Sequence, residues 1–180
     1  MSVLEVLRLG NPSLRQFCQE VSDVSDPMLS QLIKDLQDTI EACQGVGLAA
    51  PQIGVPLRVV LLGGAGINPR YPESLLIPRT VLINPVLTPI GVELEDGWEG
   101  CLSVPGLRGK VSRWQRLHYR ALDANLQPIE CCVNGFHARV VQHECDHLDG
   151  VLFPDRLVEP ALFGFTSELE AAGLIAEVSS

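Results

Sequence analysis

A five-residue motif late in the chain constrains the fold most strongly, because it sets two histidines four residues apart. The segment is His143-Glu144-Cys145-Asp146-His147. Side chains four apart on an α-helix share one face and lie about 6 Å from each other. Two imidazoles at this spacing can bind one metal ion, and the intervening carboxylate can act as a general base. A surface helix with two unrelated histidines is the alternative, but the chain has only four histidines.

Apolar periodicity and turn residues divide the rest of the chain into short elements. An apolar stripe at three- and four-residue spacing predicts a helix that begins at Pro27 and ends at Gly45. Short apolar runs between residues 58 and 133 predict strands. The motif helix is expected over residues 136–148, and a last short helix over 160–176. The pattern predicts an α+β fold in which short antiparallel strands pack around a central metal-binding helix.

Three segments within this pattern are predicted to interrupt regular structure. Residues 45–54 contain too many Gly and Pro residues for a regular element. The strand at residues 80–84 is expected to end before Pro85. Asp96-Gly97 is predicted to be a turn, and residues 98–106 are predicted to be irregular.

Composition and charge narrow the classes of partner and compartment. The 180 residues are 46% hydrophobic, which is enough for one domain with a substantial core. The net charge of −9 argues against broad binding to nucleic acids or anionic membranes. The N-terminal residues do not resemble a signal peptide, and no apolar run reaches the roughly 20 residues of a transmembrane helix, so a cytoplasmic location is expected. The six cysteines are therefore expected to be reduced thiols.

The predicted metal site needs a third protein ligand besides the two histidines, because a catalytic metal site usually has three protein ligands and one open position. No histidine follows His147, and the downstream carboxylates lie in a stretch without a matching helix signature. Upstream, Cys101 follows Gly100 in a loop, and a thiolate suits Fe(II) or Zn(II). A buried structural thiol is the alternative for Cys101.

Three motifs together resemble those of peptide deformylases, in that family's order and approximate spacing. They are Gly45-Val46-Gly47-Leu48-Ala49-Ala50-Pro51-Gln52, Glu99-Gly100-Cys101-Leu102-Ser103 and Gln142-His143-Glu144-Cys145-Asp146-His147. With the flanking segments 9–15 and 148–157, the resemblance covers about residues 3–157. It implies one peptide-deformylase-like catalytic domain over residues 1–180, in which residues 158–180 form a divergent C-terminal tail.

The resemblance also implies a metal-dependent hydrolase. Cys101, His143 and His147 would bind one divalent metal ion per chain, with water as the fourth ligand. Fe(II) is the expected ion, and Zn(II), Ni(II) and Co(II) are alternatives. The metal-bound hydroxide would attack the formyl carbonyl of formyl-methionyl nascent chains and release formate. Glu144 would act as general acid and base.

Further site residues follow from the same resemblance. The Gln52 side chain and the Leu102 backbone N–H would stabilise the oxyanion. A peptide would add as a strand along the Gly-rich segment. The residues expected to bind the substrate are Gly45, Val46, Gly47, Phe136, Arg139 and Val140. Of these, Arg139 would lend its aliphatic stem to the rim of the methionine pocket. Glu99 and Asp146 are expected to pair with Arg113 and so to hold loop and helix together.

Two features bear on partners and on competing interpretations. The segment after Arg156 contains acidic residues and no Lys or Arg, so only weak, transient ribosome docking is expected. Cys145 lies two residues after His143, about 200° around the helix, and should face away from the metal. The remaining alternatives are an endopeptidase, a closed structural zinc site that includes Cys145, and an inactive paralogue.

Overall fold

Most of the strands lie between the first two α-helices of the chain, and the strands form two antiparallel sheets. The computed structural model describes residues 3–22, 27–64 and 76–176. The α-helices in these ranges are α1 (Pro27–Ala42), α2 (Gly135–Leu148) and α3 (Thr166–Ala171). The strands are β1 (Gly47–Ala49), β2 (Val59–Leu62), β3 (Thr80–Pro89), β4 (Leu94–Cys101), β5 (Val104–Trp114), β6 (Arg116–Leu122), β7 (Pro128–Asn134) and β8 (Phe163–Phe165). Short 3-10 helices cover Pro12–Arg15, Ala50–Ile53, Phe153–Arg156 and Pro160–Leu162.

Both sheets contact the central helix α2. The first sheet has the order β1-β2-β3-β6-β7, and the second has the order β4-β5-β8. All strand pairs are antiparallel. Helix α2 packs against strands of both sheets, and every residue from Ala138 to Leu148 is buried. The predicted α+β fold, with antiparallel strands packed around a central helix, is confirmed.

Apolar side chains on α1 and α2 form the two main parts of the core. Leu36 and Ile40 of α1 pack with Leu61 and other residues of the first sheet. On α2, Val141 and Leu148 pack with residues of the same sheet from its other side. The first sheet therefore lies between the two helices, which fixes the position of α2. In the part of the chain that the structure describes, no helix is both long and apolar enough to cross a membrane.

The prediction that residues 45–54 lack regular structure is wrong for the centre of that segment. Gly47–Ala49 form β1, which pairs with β2, and a 3-10 helix follows over Ala50–Ile53. Glycine is needed at position 47 because the Glu144 side chain packs directly against its backbone. The backbone there is still extended and pairs with β2. The small residues of this segment therefore belong to a buried strand with little space for larger side chains.

Strand β3 does not end before Pro85, because a bulge accommodates the break. The pairing with β6 shifts register between Ile83 and Val86, and Asn84 has a positive φ of 52°. The Asn84 side chain hydrogen-bonds the N–H and the C=O of Val21. These two bonds to a residue distant in the chain stabilise the bulge at which β3 leaves the ladder and returns to it.

The predicted turn at Asp96-Gly97 is wrong, because both residues lie inside β4. Strands β4 and β5 form a long hairpin whose turn is at residues 102–103. A Cβ at position 97 would lie 2.7 Å from Cζ of Arg139. Gly97 therefore makes room for a side chain from α2 and does not bend the strand.

The C-terminal helix is shorter than predicted. Within the expected range 160–176, a 3-10 turn and strand β8 come before α3. Strand β8 pairs with β5, with Leu107 opposite Phe165 and Gly109 opposite Phe163. Apolar residues of this segment therefore extend the second sheet. Over so few residues, the spacing of apolar side chains does not distinguish a strand from a helix.

Candidate metal centre

Helix α2 and the end of β4 bring three metal-binding side chains together. His143 and His147 lie one turn apart on α2, and their ring centroids are 5.2 Å apart. Cys101 is the last residue of β4, and its Sγ lies 3.3 Å from Nε2 of His147. The donor atoms of all three residues lie within 4.8 Å of one another, and all three residues are buried. Among the described residues, this is the only such group of His, Cys, Asp and Glu side chains.

The chemistry of these residues fits a divalent metal ion. A thiolate and two imidazoles are ligands that Fe(II), Zn(II) and related ions accept. Burial and the neighbouring His143 lower the pKa of His147, which keeps its imidazole neutral as a metal ligand must be. Oε2 of Glu144 is also buried and has no hydrogen-bond partner, although buried polar atoms normally have one. This oxygen is available to a water or a substrate group beside the metal.

Glu99 fixes the orientation of one of the two histidines. Its Oε2 lies 2.8 Å from Nδ1 of His143, which leaves Nε2 of that ring for a metal. Arg113 makes two hydrogen bonds of 2.9 Å to the same carboxylate and one of 2.5 Å to Asp146. Burial alone would raise the pKa of Glu99, but the bonds from His143 and Arg113 hold it well below its usual range. The predicted pairing of Arg113 with Glu99 and Asp146 is confirmed.

Glu144 has the environment of a group that exchanges protons near neutral pH. Burial raises its pKa to about 7, and the negative charge of Glu99 acts in the same direction. A carboxyl group with a pKa near the working pH can both accept and return a proton. The Glu144 side chain also lies against Gly47, since a Cβ there would be 2.7 Å from the carboxyl carbon.

The Gln52 amide is held with its nitrogen toward the metal ligands. Its Oε1 accepts a hydrogen bond of 2.8 Å from the Ala49 N–H. Because an N–H can donate only to the amide oxygen, this contact distinguishes Oε1 of Gln52 from Nε2. Its Nε2 donates to Oγ of Ser103 at 3.1 Å and lies 3.5 Å from Sγ of Cys101. The N–H groups of Gln52 are therefore directed at the site.

Two small adjoining cavities bring together the other predicted residues. One is lined by Gly45, Val46, Gly47, Gln52, Gly100, Cys101, Leu102, His143 and Glu144. The other is lined by Val46, Glu99, Gly100, Phe136, Arg139, Val140, His143 and Glu144. His147 lies beside Cys101, as given above. The structure thus places every sequence-predicted site residue at one centre.

Two features of the site were not predicted from the sequence. The Arg139 guanidinium is buried and donates a 2.9 Å hydrogen bond to Glu99, a bond that the sequence did not predict. Ser103 binds Gln52. The position of Ser103 inside the second motif was a signal for its role, whereas the path of a long arginine side chain has no signal in spacing.

A larger cavity lies on the other face of α2. It has a volume of about 1020 Å³, and its lining includes Phe17, Trp114 and Cys145 but none of the three candidate ligands. Cys145 therefore faces away from Cys101, His143 and His147, as the helix geometry predicts. The closed structural site with Cys145 as fourth ligand is excluded by this orientation.

Comparison with known proteins agrees with this geometry. Residues 3–162 match the family described as polypeptide deformylase. The chain is 70% identical to peptide deformylase 1 of Prochlorococcus marinus (strain MIT 9313) over 180 residues, which is 100% of this chain and 94% of the relative. It is 51% identical to peptide deformylase 1 of Nitrosomonas europaea over 172 residues, which is 96% of this chain and 97% of the relative.

Solved structures are similar over most of the chain. A class I type b peptide deformylase from Acinetobacter baumannii, bound to Met-Ala-Ser, superposes with a TM-score of 0.82 at 38% identity. That match covers 87% of this chain and 100% of the other. A peptide deformylase from Synechococcus elongatus, in complex with actinonin, has a TM-score of 0.79 at 33% identity. It covers 100% of this chain and 91% of the other.

Proposed function

This chain belongs to the polypeptide deformylase family, and from that premise we propose which residues carry out the reaction. The enzyme removes the N-terminal formyl group from nascent polypeptides and releases it as formate. The proposal assigns Cys101, His143 and His147 as the ligands of its divalent metal ion. The observation that carries this assignment is the approach of the three buried donor atoms to within 4.8 Å of one another.

The metal is Fe(II), with Zn(II), Ni(II) and Co(II) as ions that the same ligands accept. A thiolate with two imidazoles is a borderline-soft ligand set, which suits Fe(II) and Zn(II) alike. When bound, the ion supplies Lewis acidity that polarises the formyl carbonyl and activates water. The His143 ring keeps Nε2 directed at the ion because Glu99 holds Nδ1.

Glu144 moves the proton. Its buried Oε2 has no protein partner, and a pKa of about 7 suits both acceptance and return of a proton. In the proposed sequence Glu144 takes the proton of the attacking water. It then donates that proton to the nitrogen that leaves when the C–N bond of the formamide breaks.

The oxyanion that forms on the formyl oxygen needs hydrogen-bond donors. The Gln52 amide nitrogen lies 3.5 Å from Sγ of Cys101, and the Leu102 backbone N–H follows that ligand directly in the chain. Both groups are part of the proposed oxyanion site. Loss of one such donor typically costs about 3 kcal/mol of transition-state stabilisation.

The substrate peptide binds between two strand edges. Strand β1, which contains Gly47, is at the edge of the first sheet, and β4 is at the edge of the second. An edge strand has free N–H and C=O groups that can pair with an extended peptide. Backbone groups near Gly45 and Gly47 would bond the peptide. Its methionine side chain would enter the cavity that Val46, Phe136, Arg139 and Val140 line.

The remaining assignments concern the whole chain. Residues 1–180 form one catalytic domain, with 158–180 as its divergent tail, in the cytoplasm. The tail has no Lys or Arg after Arg156, and its acidic residues would be repelled by RNA. The enzyme therefore meets formyl-methionyl nascent chains with only weak, transient docking on the ribosome, and without a membrane partner.

One experiment tests the proposed centre. The protein is purified without oxygen, because a thiolate-ligated Fe(II) site oxidises easily, and its metal content and formate release from formyl-Met-Ala are measured. We expect one metal per chain and rapid formate release, and C101A should lose both. Full metal content and activity in C101A would overturn the ligand assignment. Failure of both the Fe(II) and the Ni(II) forms to release formate would overturn the proposed function.

A further inference from the structure

Arg139 is held inside the protein by several acceptors at once. Its guanidinium donates to Oε1 of Glu99 at 2.9 Å, to the carbonyl oxygen of Val111 at 2.8 Å and to that of Glu95 at 2.6 Å. The residue is only 7% exposed. Gly97 leaves the space that the guanidinium needs, since a Cβ there would lie 2.7 Å from Cζ. A side chain fixed in this way has one conformation and ties α2 to both strands of the β4–β5 hairpin.

The hydrogen bonds of Arg139 complete the set that surrounds Glu99. Oε1 of Glu99 accepts from Arg113 and from Arg139. Oε2 accepts from Arg113 and lies 2.8 Å from Nδ1 of His143. Each oxygen therefore has two partners, which is the number that its lone pairs can serve. Without Arg139, Oε1 keeps only the bond from Arg113, so the carboxylate is held less firmly against the His143 ring.

Arg139 also lines the cavity proposed for the substrate side chain, beside Val46, Phe136 and Val140. Arg113 does not line that cavity and lies on the other side of Glu99, among the residues of the larger cavity. The two arginines therefore hold the same carboxylate, but only one of them meets the substrate.

We infer that Arg139 is a positioning residue that links substrate selection to the metal centre. Through Glu99 it holds the ring of His143, and through its own side chain it closes one wall of the pocket for the first substrate residue. This inference rests on the proposed function, because the pocket is assigned there. An apolar residue at position 139 could form a pocket wall, but it could not bond Glu99.

The test compares R139M with R113M, because each removes one guanidinium from Glu99 and only Arg139 borders the pocket. The Co(II)-loaded enzymes are mixed with EDTA, and metal loss is followed by the thiolate-to-cobalt absorption band. We expect both variants to lose metal about tenfold faster than the wild type, as is usual when a partner of a metal-bound histidine is removed. The ratio of kcat/KM for formyl-Met-Ala over formyl-Phe-Ala is then measured. We expect it to fall about tenfold in R139M only, because the pocket gains the volume of the guanidinium.

A conservative variant of Arg139 and a surface control complete the test. R139K retains the positive charge but cannot reach Glu99 and the strand carbonyls together, so we expect partial recovery of metal retention. R79M removes a surface guanidinium paired with Glu41 and should match the wild type in both measurements. The inference fails if R139M or, where R139M does not fold, R139K retains metal and substrate preference like the wild type. A wild-type enzyme that releases no formate would instead refute the proposed function.

Discussion

The Glu144 carboxylate lies against the backbone of Gly47, with no space for a side chain between them. A Cβ at position 47 would be 2.7 Å from the carboxyl carbon of Glu144, and that carboxyl end is the mobile part of the side chain. The two motifs that contribute these residues are almost one hundred positions apart in the sequence. Their contact makes the glycine of β1 a determinant of where the proton-transfer group sits.

Replacement of Gly47 by alanine should therefore impair catalysis more than folding. In G47A the Glu144 carboxylate must move, while the metal ligands remain in place. We expect kcat to fall by about 10² or more, which is the usual contribution of general acid–base catalysis, with metal content unchanged. G164A is the matched control, because a Cβ at Gly164 would meet only Leu169 at 3.7 Å. Wild-type turnover in G47A would contradict the assigned role of the contact.

Conversion of Gln52 to glutamate should separate its two hydrogen-bonding roles. Oε1 of Gln52 accepts from Ala49, and a glutamate oxygen can replace it. The amide nitrogen that donates to Ser103 would be lost. We expect kcat for formyl-Met-Ala to fall by about 10² to 10³ in Q52E, and the melting temperature to fall moderately because the new carboxyl group is buried. A large loss of stability with normal kcat would show that Gln52 serves only the fold.

Acid should weaken the contact between the N-terminal segment and the chain after α2. Asp155 pairs with Arg15. Burial alone would raise the pKa of Asp155, but the hydrogen bonds from Arg15 and the Leu152 N–H lower it below its usual value. A carboxyl group whose pKa is lower in the folded state stabilises the fold above its unfolded pKa, and this contribution disappears as pH falls through the folded value.

The comparison of D155N with the wild type measures this contribution. We expect the wild type to have the higher melting temperature at neutral pH. The difference should shrink as the pH falls through the lowered pKa of Asp155, where the folded protein takes up the proton and the ion pair with Arg15 is lost. A difference that stays constant between pH 7 and pH 3 would contradict the role of the ionised carboxylate.

The six cysteines should differ sharply in reactivity. Cys131 and Cys132 are exposed, whereas Cys18 and Cys145 are buried. Burial raises the pKa of Cys18 to about 11 and raises that of Cys145 further above its ordinary value. Since the thiolate is the reactive form, a disulfide reagent should label Cys131 and Cys132 first. Mass spectrometry of the native holoenzyme checks this order, and early labelling of Cys145 would contradict it.

The sequence allowed the candidate site to be predicted more completely than the strands. Three motifs with distinctive residues identified Cys101, His143 and His147, and helical spacing alone indicated that Cys145 faces away. The strands were harder, because Gly97 and the segment around Gly47 combine extended backbone with residues typical of turns. In both places the glycine leaves room for a side chain from α2. The two residues in each contact are more than 40 positions apart in the sequence, so no local pattern predicts it.

The role of Arg139 could not be predicted for a related reason. Its position one turn before His143 indicated the correct face of α2, but not the depth of its guanidinium. That depth depends on a missing side chain at Gly97 and on acceptors at Glu95 and Val111. The bulge at Asn84 is similar, since it rests on hydrogen bonds with Val21, far away in the chain.

The burial of α2 on every side has a consequence for how the enzyme opens. Ala138 to Leu148 are all enclosed by the two sheets and the core, so the amide hydrogens of this helix can exchange with solvent only when the packing of both sheets opens. We therefore expect the two histidines to belong to the slowest-exchanging part of the protein. The third proposed ligand, Cys101, ends β4 beside the turn at residues 102–103, at the margin of that region. Entry and escape of the ion are therefore expected to follow excursions of this turn, while the helix remains closed.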